Sequence, residues 1–387
     1  MTDHLPLAPC PVTDWSDERR RAALRTTRLG HRWRRFARVR RALVRLTLVL
    51  VALLTLYGQY WIHDVAPERA RLAHTQPYLH PIFDAAEPAD RTTAVVDLVG
   101  LGNLDATDTA RALPVLAELG QVWAVQYDNA GLDTAVIARM ILDHAEHAEV
   151  ERIVLVGHSM GGIIALEVAE HVVTDPEVNL LAVILDCTPI DLHAVRADAR
   201  DTGEDLLRWM GWLPGARESR TLRLVVETAA RKDRYLVTRP NRLPTVDPGA
   251  LVEAVTEVLQ DKIFSTDAAS NGLIEAQFEA IVASGALDNL GVLASRRRDR
   301  QPPAVVFLRP RHGTDDEVVD VDYTQKVLFD RIGGPQGFLR VVRIEGTGHA
   351  NPIQRPQAYN SALESRVVPF VERLARETER PVVAGGR

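Results

Sequence analysis

The chain has 387 residues, enough for one large domain with insertions or for two ordinary ones. Apolar residues make up 46% and charged residues 25%, the balance of a folded protein rather than a low-complexity chain. The net charge of −6 hides an asymmetry: residues 1–45 hold twelve arginines and four acids, a net +8, so the remainder carries −14, which argues against nucleic-acid binding by the folded part.

Residues 1–18 are rich in Pro, Asp and Thr and are expected to be disordered. Arg19 to Arg45 contains no acidic residue. The apolar run Leu46–Tyr57 follows. From Ala42 to Ile62 is 21 residues, roughly 31 Å as a helix, about one hydrocarbon core. Arg45 can snorkel at one end, and Tyr57, Tyr60 and Trp61 can form an aromatic belt at the other. This reads as a single-pass transmembrane signal anchor over 42–62. The basic segment 1–41 is then cytoplasmic, and the rest of the chain lies outside the cell membrane. Three other readings compete. A cleaved signal peptide would explain the apolar core, but no small-x-small site follows it and the preceding region is long. Arg40-Arg41-Ala42-Leu43-Val44 weakly resembles a twin-arginine export signal. The third is a cytosolic basic helix. Residues 63–90 form a linker with several prolines, and the sequence leaves open whether it holds short strands or a hairpin.

From residue 91 strands and helices alternate. Ala94–Val99 is a strand leading into Gly100-Leu101-Gly102-Asn103, then a helix from about Thr107 to Leu119. Gln121–Gln126 is the next strand, and Leu132–His147 an amphipathic helix. Ile153–Val156 is a β-branched apolar run, and helical spacing of apolar residues resumes from Ile163 to Val173. Leu180–Leu185 is a further strand, closed by Asp186-Cys187-Thr188-Pro189. Such alternation predicts a mostly parallel, doubly wound α/β sheet covered on both faces. Residues 191–302 look mostly helical. Ala304–Leu308 resumes the sheet, Gly337–Ile344 is the last strand, Gln357–Arg376 the closing helix, and 381–387 a disordered tail. Cys10 and Cys187 lie in dissimilar settings and are not expected to pair. No spaced Cys/His cluster suggests a metal.

Between Val156 and Ile163 sits Gly157-His158-Ser159-Met160-Gly161-Gly162. A Gly-x-Ser-x-Gly turn between a strand and a helix is the nucleophile-elbow pattern. The glycines let strand and helix approach around a strained serine. With its flanking elements it resembles the α/β-hydrolase family, in the serine esterase and lipase style. The resemblance covers roughly 91–190 and 303–375. It divides the chain into the core's first half at 91–190, an inserted helical cap at 191–302, and the core's second half at 303–380.

The resemblance also implies a catalytic triad in the chain order Ser, acid, His. Ser159 would be the nucleophile. Gly313-Thr314-Asp315-Asp316-Glu317-Val318-Val319 resembles the family's acid loop, and its spacing selects Asp316, with Asp315 a near alternative and Asp320 a distant one. Gly346-Thr347-Gly348-His349 resembles the family's histidine turn, and makes His349 the base. His158 should point away from the site, and His312 is taken as structural. The backbone amides of Leu101 and Met160 would form the oxyanion hole. Here the chain departs from the family, reading Val99-Gly100 where members usually read His-Gly. That leaves the amide donor in place and puts the shape of the hole in doubt.

The implied activity is cleavage of carboxylic esters, acyl or lipid-like, through an acyl-enzyme, without metal or organic cofactor and without an obligate protein partner. An acyltransferase or a cofactor-free perhydrolase would use the same triad, and a non-catalytic binding protein could use the same scaffold. Within the insertion, Leu206–Pro214 holds Trp209 and Trp212 and could line an acyl pocket or pack inward. Arg231, Lys232, Arg234, Arg239 and Arg242 form a basic run, read as a solvated face or a contact for an anionic headgroup.

Overall fold

The computed structural model describes residues 17–26, 28–237, 244–265, 268–295, 302–333 and 338–378. The chain divides into two units, residues 1–63 and 64–387. The expected disorder of 1–18 and 381–387, and Cys10, fall outside the described residues, apart from helical Asp17 and Glu18.

In the first unit, helices span Asp17–Thr26 and Arg28–Tyr60. The predicted transmembrane span at 42–62 is therefore helical, but it is not sustained as a span. Among the described residues, no helix is long and apolar enough to cross a membrane. The physical reason is the length of the uninterrupted apolar run. Leu46–Tyr57 is 12 residues, about 18 Å of helix against a hydrocarbon core of about 30 Å. Arg45 bounds it on one side and Gly58-Gln59 on the other. The run is nonetheless uncovered: Leu46, Leu48, Leu50, Leu53, Leu54 and Leu56 are all more than half exposed.

The second unit is built on a seven-stranded sheet. Its first five strands are β1 (Tyr78–Phe83), β2 (Thr93–Leu98), β3 (Gln121–Gln126), β4 (Arg152–His158) and β5 (Asn179–Asp186). A two-stranded hairpin in the insertion, β6 (Leu236–Val237) and β7 (Thr245–Val246), separates these from β8 (Ala304–Pro310) and β9 (Leu339–Ile344). The sheet order is β1-β3-β2-β4-β5-β8-β9, with β1 antiparallel to β3 and every other pair parallel. Every residue of β2 and β8 is buried, and β4 and β5 are buried at all but their first residue. Strands covered on both faces need continuous apolar runs rather than alternation, and the sequence supplies them.

The stretch 63–90 does more than link. Ala66–Leu72 is a short helix, and β1 is the sheet's antiparallel edge. Pro81 within β1 is suited to an edge, where a missing amide costs little. The insertion is helical as expected, but it is not all cap. Asn271–Val282 and Ala286–Ala294 pack on the helix Met160–Thr174 that follows β4, so the last part of 191–302 covers the sheet.

Glycines at the β4 turn are fixed by close approach. A Cβ at Gly157 would strike the backbone of Gly161 and Gly162, whereas one at Gly162 would strike the Thr188 side chain. Thr188 can yield by a small shift of its own short segment, whereas the backbone facing Gly157 belongs to the turn itself. Gly157→Ala is therefore expected to lower the urea midpoint clearly more than Gly162→Ala, with overpacking costs of about 1–3 kcal/mol for the milder variant. Equal losses, or the reverse order, would contradict this packing.

Candidate active site

The site forms where β4, β8 and β9 end. β4 runs straight into Ser159, whose φ of 54° and ψ of −123° are unusual for a residue with a side chain. Two backbone bonds hold it there. Ser159 N–H donates to the Asp186 carbonyl at the end of β5 (2.7 Å), and Gly162 N–H donates to the Ser159 carbonyl (3.0 Å). The helix Met160–Thr174 starts at the next residue, so the Met160 amide is among the helical donors with no partner inside the helix.

Ser159, Asp316 and His349 come together although they are far apart in sequence. The Ser159 hydroxyl donates to His349 Nε2 (2.7 Å), and His349 Nδ1 donates to Asp316 Oδ2 (2.9 Å). Asp316 is fully buried. Its other oxygen accepts from the amides of Val318 (2.9 Å) and Val319 (2.8 Å), which leaves Oδ2 for the imidazole. Burial opposes the charge, but His349 and these two amides outweigh it and hold the carboxyl below its ordinary range. The acid therefore stays ionised near neutral pH. His349 follows β9 through Gly346, whose φ of 70° favours glycine, and the Asn351 side chain accepts from Gly348 N–H (3.2 Å).

The neighbouring acids have other work. Asp315 is exposed in the turn Gly313–Asp315. Asp320 caps the helix Val321–Ile332 by accepting from Tyr323 N–H (3.0 Å). His312 is exposed before the acid loop. His158 points away from the cavity's chemistry, with Nδ1 donating to Asp186 Oδ2 (2.8 Å) and Nε2 3.1 Å from Asp97 Oδ1. Burial alone would push this imidazole down, but the two carboxylates outweigh it and push it up to about 10.

Leu101 lies beside Ser159. A Cβ on Gly100 would sit 2.9 Å from the His158 carbonyl and 3.1 Å from Ser159 Cβ, so the loop after β2 passes directly against the elbow. Leu101, Ser159 and His349 line one cavity of about 390 Å³. The rest of its wall is mainly apolar and includes Val195, Phe278, Ile281, Val318 and Ile353.

Two bracing residues were not recognised in the sequence. Gln277, fully buried on the helix Asn271–Val282, accepts from Gly102 N–H and donates to the Asn103 carbonyl, both at 2.9 Å. Arg196 donates from Nε to the Asp316 carbonyl (2.7 Å) and from its terminal nitrogen to the Gly313 carbonyl (2.8 Å). Each binds a loop more than a hundred residues away, a pairing with no local signature. Neither reading of Leu206–Pro214, pocket lining or inward packing, holds for Trp212, which is 75% exposed; the Trp209 side chain lies outside the described residues. Arg234 pairs with Glu257 (2.7 Å), as on a solvated face, whereas half-buried Arg231 pairs with Glu227 (2.9 Å) and Glu257 (3.6 Å); Arg239 and Arg242 lie outside the described residues.

Among the described residues, Cys187, Asp316 and His349 are the donors close enough together to hold a metal. Asp316 and His349 are already bonded to each other and to Ser159, and burial pushes the Cys187 thiol well up, so it offers no thiolate.

The sequence profile of the alpha/beta hydrolase family matches residues 72–362. The chain belongs to the alpha/beta hydrolase family. No curated protein matches it. Solved structures similar to this alpha/beta hydrolase include an esterase from Exiguobacterium antarcticum, with 17% identity, a TM-score of 0.46, and coverage of 77% of this chain and 96% of that one. A carboxylesterase structure from Nitrososphaera gargenis has 14% identity and a TM-score of 0.46, covering 78% of this chain and 96% of that one. A monoacylglycerol lipase from Paleococcus ferrophilus has 13% identity and a TM-score of 0.45, covering 76% and 99%.

The two acids of the loop separate in a direct test. Asp316→Asn should lower kcat/KM for an activated ester by about 10³-fold or more, because the imidazolium loses its buried carboxylate. Asp315→Asn should change it by less than about threefold, since Asp315 is exposed. Steady-state kinetics of both variants, with circular dichroism to verify folding, check the assignment. A severe Asp315 variant beside a mild Asp316 variant would overturn it.

Proposed function

We propose that this alpha/beta hydrolase cleaves carboxylic esters by acyl transfer through Ser159. The observation that carries the proposal is the hydrogen-bonded line from Ser159 through His349 to Asp316. In the proposed reaction His349 Nε2 takes the hydroxyl proton as Ser159 Oγ bonds to the ester carbonyl. Asp316 holds the imidazole in the tautomer that leaves Nε2 as acceptor, and stabilises the cation that forms. The Leu101 and Met160 amides donate to the tetrahedral oxyanion, where loss of one donor costs about 3 kcal/mol. His349 then returns the proton to the departing alkoxide, and the alcohol leaves. Water attacks the acyl-enzyme with His349 again as base, giving the carboxylic acid and free Ser159.

The apolar wall supports an acyl chain as the group held there. Val195, Phe278, Ile281 and Ile353 surround the space beside the serine. Each buried methylene contributes about 0.8 kcal/mol, roughly fourfold in kcat/KM. A series of p-nitrophenyl esters from two to eight acyl carbons should therefore rise steeply in kcat/KM until the cavity is full. Ser159→Ala should abolish turnover and labelling by a fluorophosphonate probe. Near-wild-type hydrolysis by that variant would sink the reading, and a flat chain-length series would reduce it to a general esterase. Product partition in the presence of an added alcohol distinguishes hydrolysis from an acyltransferase.

The same reading places the enzyme at the cell membrane, attached through residues 42–62 rather than spanning by that helix alone. Its support is the exposed leucine surface from Leu46 to Leu56 next to Arg40, Arg41 and Arg45. Apolar burial and about 1 kcal/mol per arginine beside anionic lipid would add together. The full chain should float with phosphatidylglycerol-containing vesicles, and Leu50→Asp with Leu53→Asp should release it while esterase activity persists. Equal flotation of the doubly substituted chain would reject attachment by this helix.

A further inference from the structure

A second cavity lies on the far side of the loop that carries Leu101. It encloses about 420 Å³, and Leu101 and Asn103 line both cavities. Unlike the space beside Ser159, its wall carries arginine and lysine side chains among apolar ones that also include Val226 and Ile274. Arg223, Arg231, Lys262 and Glu227 line it, a net charge of +2, together with Asn271 and apolar Met210 and Leu222.

Arg223 is the informative residue. It is only 6% exposed, on the helix Arg220–Ala230. A guanidinium so deep needs its charge balanced and its five donors engaged. One terminal nitrogen donates to the Ala269 carbonyl, and the other reaches Glu227 at a long 3.5 Å. Nε is buried and has no partner. Glu227 is shared, because its other oxygen sits 2.9 Å from Arg231. Burial depresses the Arg223 pKa more than Glu227 raises it. Lys262 adds another cation from the turn Leu259–Ile263, and is half-buried. Buried cations are retained where an anion completes them.

We propose that this cavity binds an anionic group, phosphate or carboxylate, carried by the ester substrate, while the reacting carbonyl lies across the Leu101 loop at Ser159. The assignment rests on the hydrolase reading for the second half and on Arg223, Lys262 and Arg231 alone for the first. Leu101 and Asn103, which line both cavities, are where the substrate's charged part and its reacting ester would adjoin. Asn271, whose amide nitrogen already donates to the carbonyls of Ala216 (2.8 Å) and Ser219 (2.9 Å), fixes the wall opposite without adding negative charge.

The test pairs a neutral ester with its anionic counterpart. The full-length enzyme is assayed on 1-octanoylglycerol and on 1-octanoylglycerol 3-phosphate, and its melting temperature is followed against inorganic phosphate and against chloride at equal ionic strength. Wild type should prefer the phosphorylated ester by about tenfold or more in kcat/KM, the worth of one charge-assisted hydrogen bond. Lys262→Met and Arg223→Met should each cut that ratio several-fold. Lys262→Met is the safer variant, because Lys262 is half-buried in a turn and Arg223 is inside the fold. Phosphate should raise the melting temperature of wild type beyond chloride, and of Lys262→Met less. A phosphate shift that Lys262→Met loses, with no preference for the phosphorylated ester, keeps the anion site and identifies free anion as its occupant, overturning the substrate-borne half. A ratio near one, with no phosphate-specific shift, overturns the whole proposal. If neither ester is cleaved but the phosphate shift is present and lost in Lys262→Met, the hydrolase reading has failed and the anion site stands.

Discussion

Ser159 is held in a backbone conformation that a residue with a Cβ adopts only under compulsion, at a cost of order 1–3 kcal/mol. The compulsion comes from both ends. β4 is buried and paired on both sides, by β2 and β5, so the strand cannot shift. The helix Met160–Thr174 is buried along most of its length and cannot shift either. The chain must reverse within one residue, and only glycine at 157 and 161 leaves room, since a Cβ at either position would meet backbone. The strain points Ser159 Oγ at the cavity and places the Met160 amide beneath it. The remaining parts of the site are arranged around that fixed point.

Behind the turn lies a buried electrostatic frame. His158 stands between Asp97 on β2 and Asp186 on β5. Thr109 donates to the other Asp97 oxygen (2.9 Å), and Tyr359 donates to the other Asp186 oxygen (3.1 Å). Tyr359 in turn accepts from Asn351 N–H (3.2 Å), and Asn351 accepts from Gly348 next to His349. A continuous chain of polar contacts thus joins the residue before the serine to the loop that carries the histidine. Such a network is costly unless satisfied at every member, and it makes the relative position of its elements hard to change. Tyr127 adds a tie from β3, donating to the Val99 carbonyl (2.8 Å) at the root of the Leu101 loop.

The insertion does not merely lie over this frame. Arg196 near its start clamps the Asp316 loop, and Gln277 near its end clamps the Leu101 loop. Each takes up backbone groups that a site loop would otherwise have to satisfy with water. By engaging the Gly102 amide, Gln277 also stiffens the turn that presents Leu101. The insertion therefore supplies geometry to the site as well as walls, and it separates an apolar space beside Ser159 from a cationic one beyond the loop.

The local pattern by itself determined the parallel sheet and the elbow, because these depend on short-range constraints; the order Ser159, Asp316, His349 was an expectation carried by the resemblance to the α/β-hydrolase family. A buried strand needs an apolar run, a reversal at a bulky residue needs flanking glycines, and Gly346 is needed where φ is positive. What depends on distant partners was not legible. Spacing favoured Asp316 but left Asp315 as a near alternative, and the contacts that separate them, burial of Asp316 and its bonds from the Val318 and Val319 amides, appear only in the fold. β1 became a strand because β3 offered it an edge, and the composition of 63–90 carried no such information. The apolar stretch at 42–62 suggested a complete span from its length and flanks, yet its unbroken core is too short for one among the described residues. Trp212, open between pocket lining and inward packing by residue type, does neither and is exposed. Arg223 was one arginine among many until burial left its Nε without a partner. Residue type and spacing fix local conformation, whereas the charge and hydrogen-bond balance of a buried group is a property of everything packed around it, and only the tertiary structure decides that.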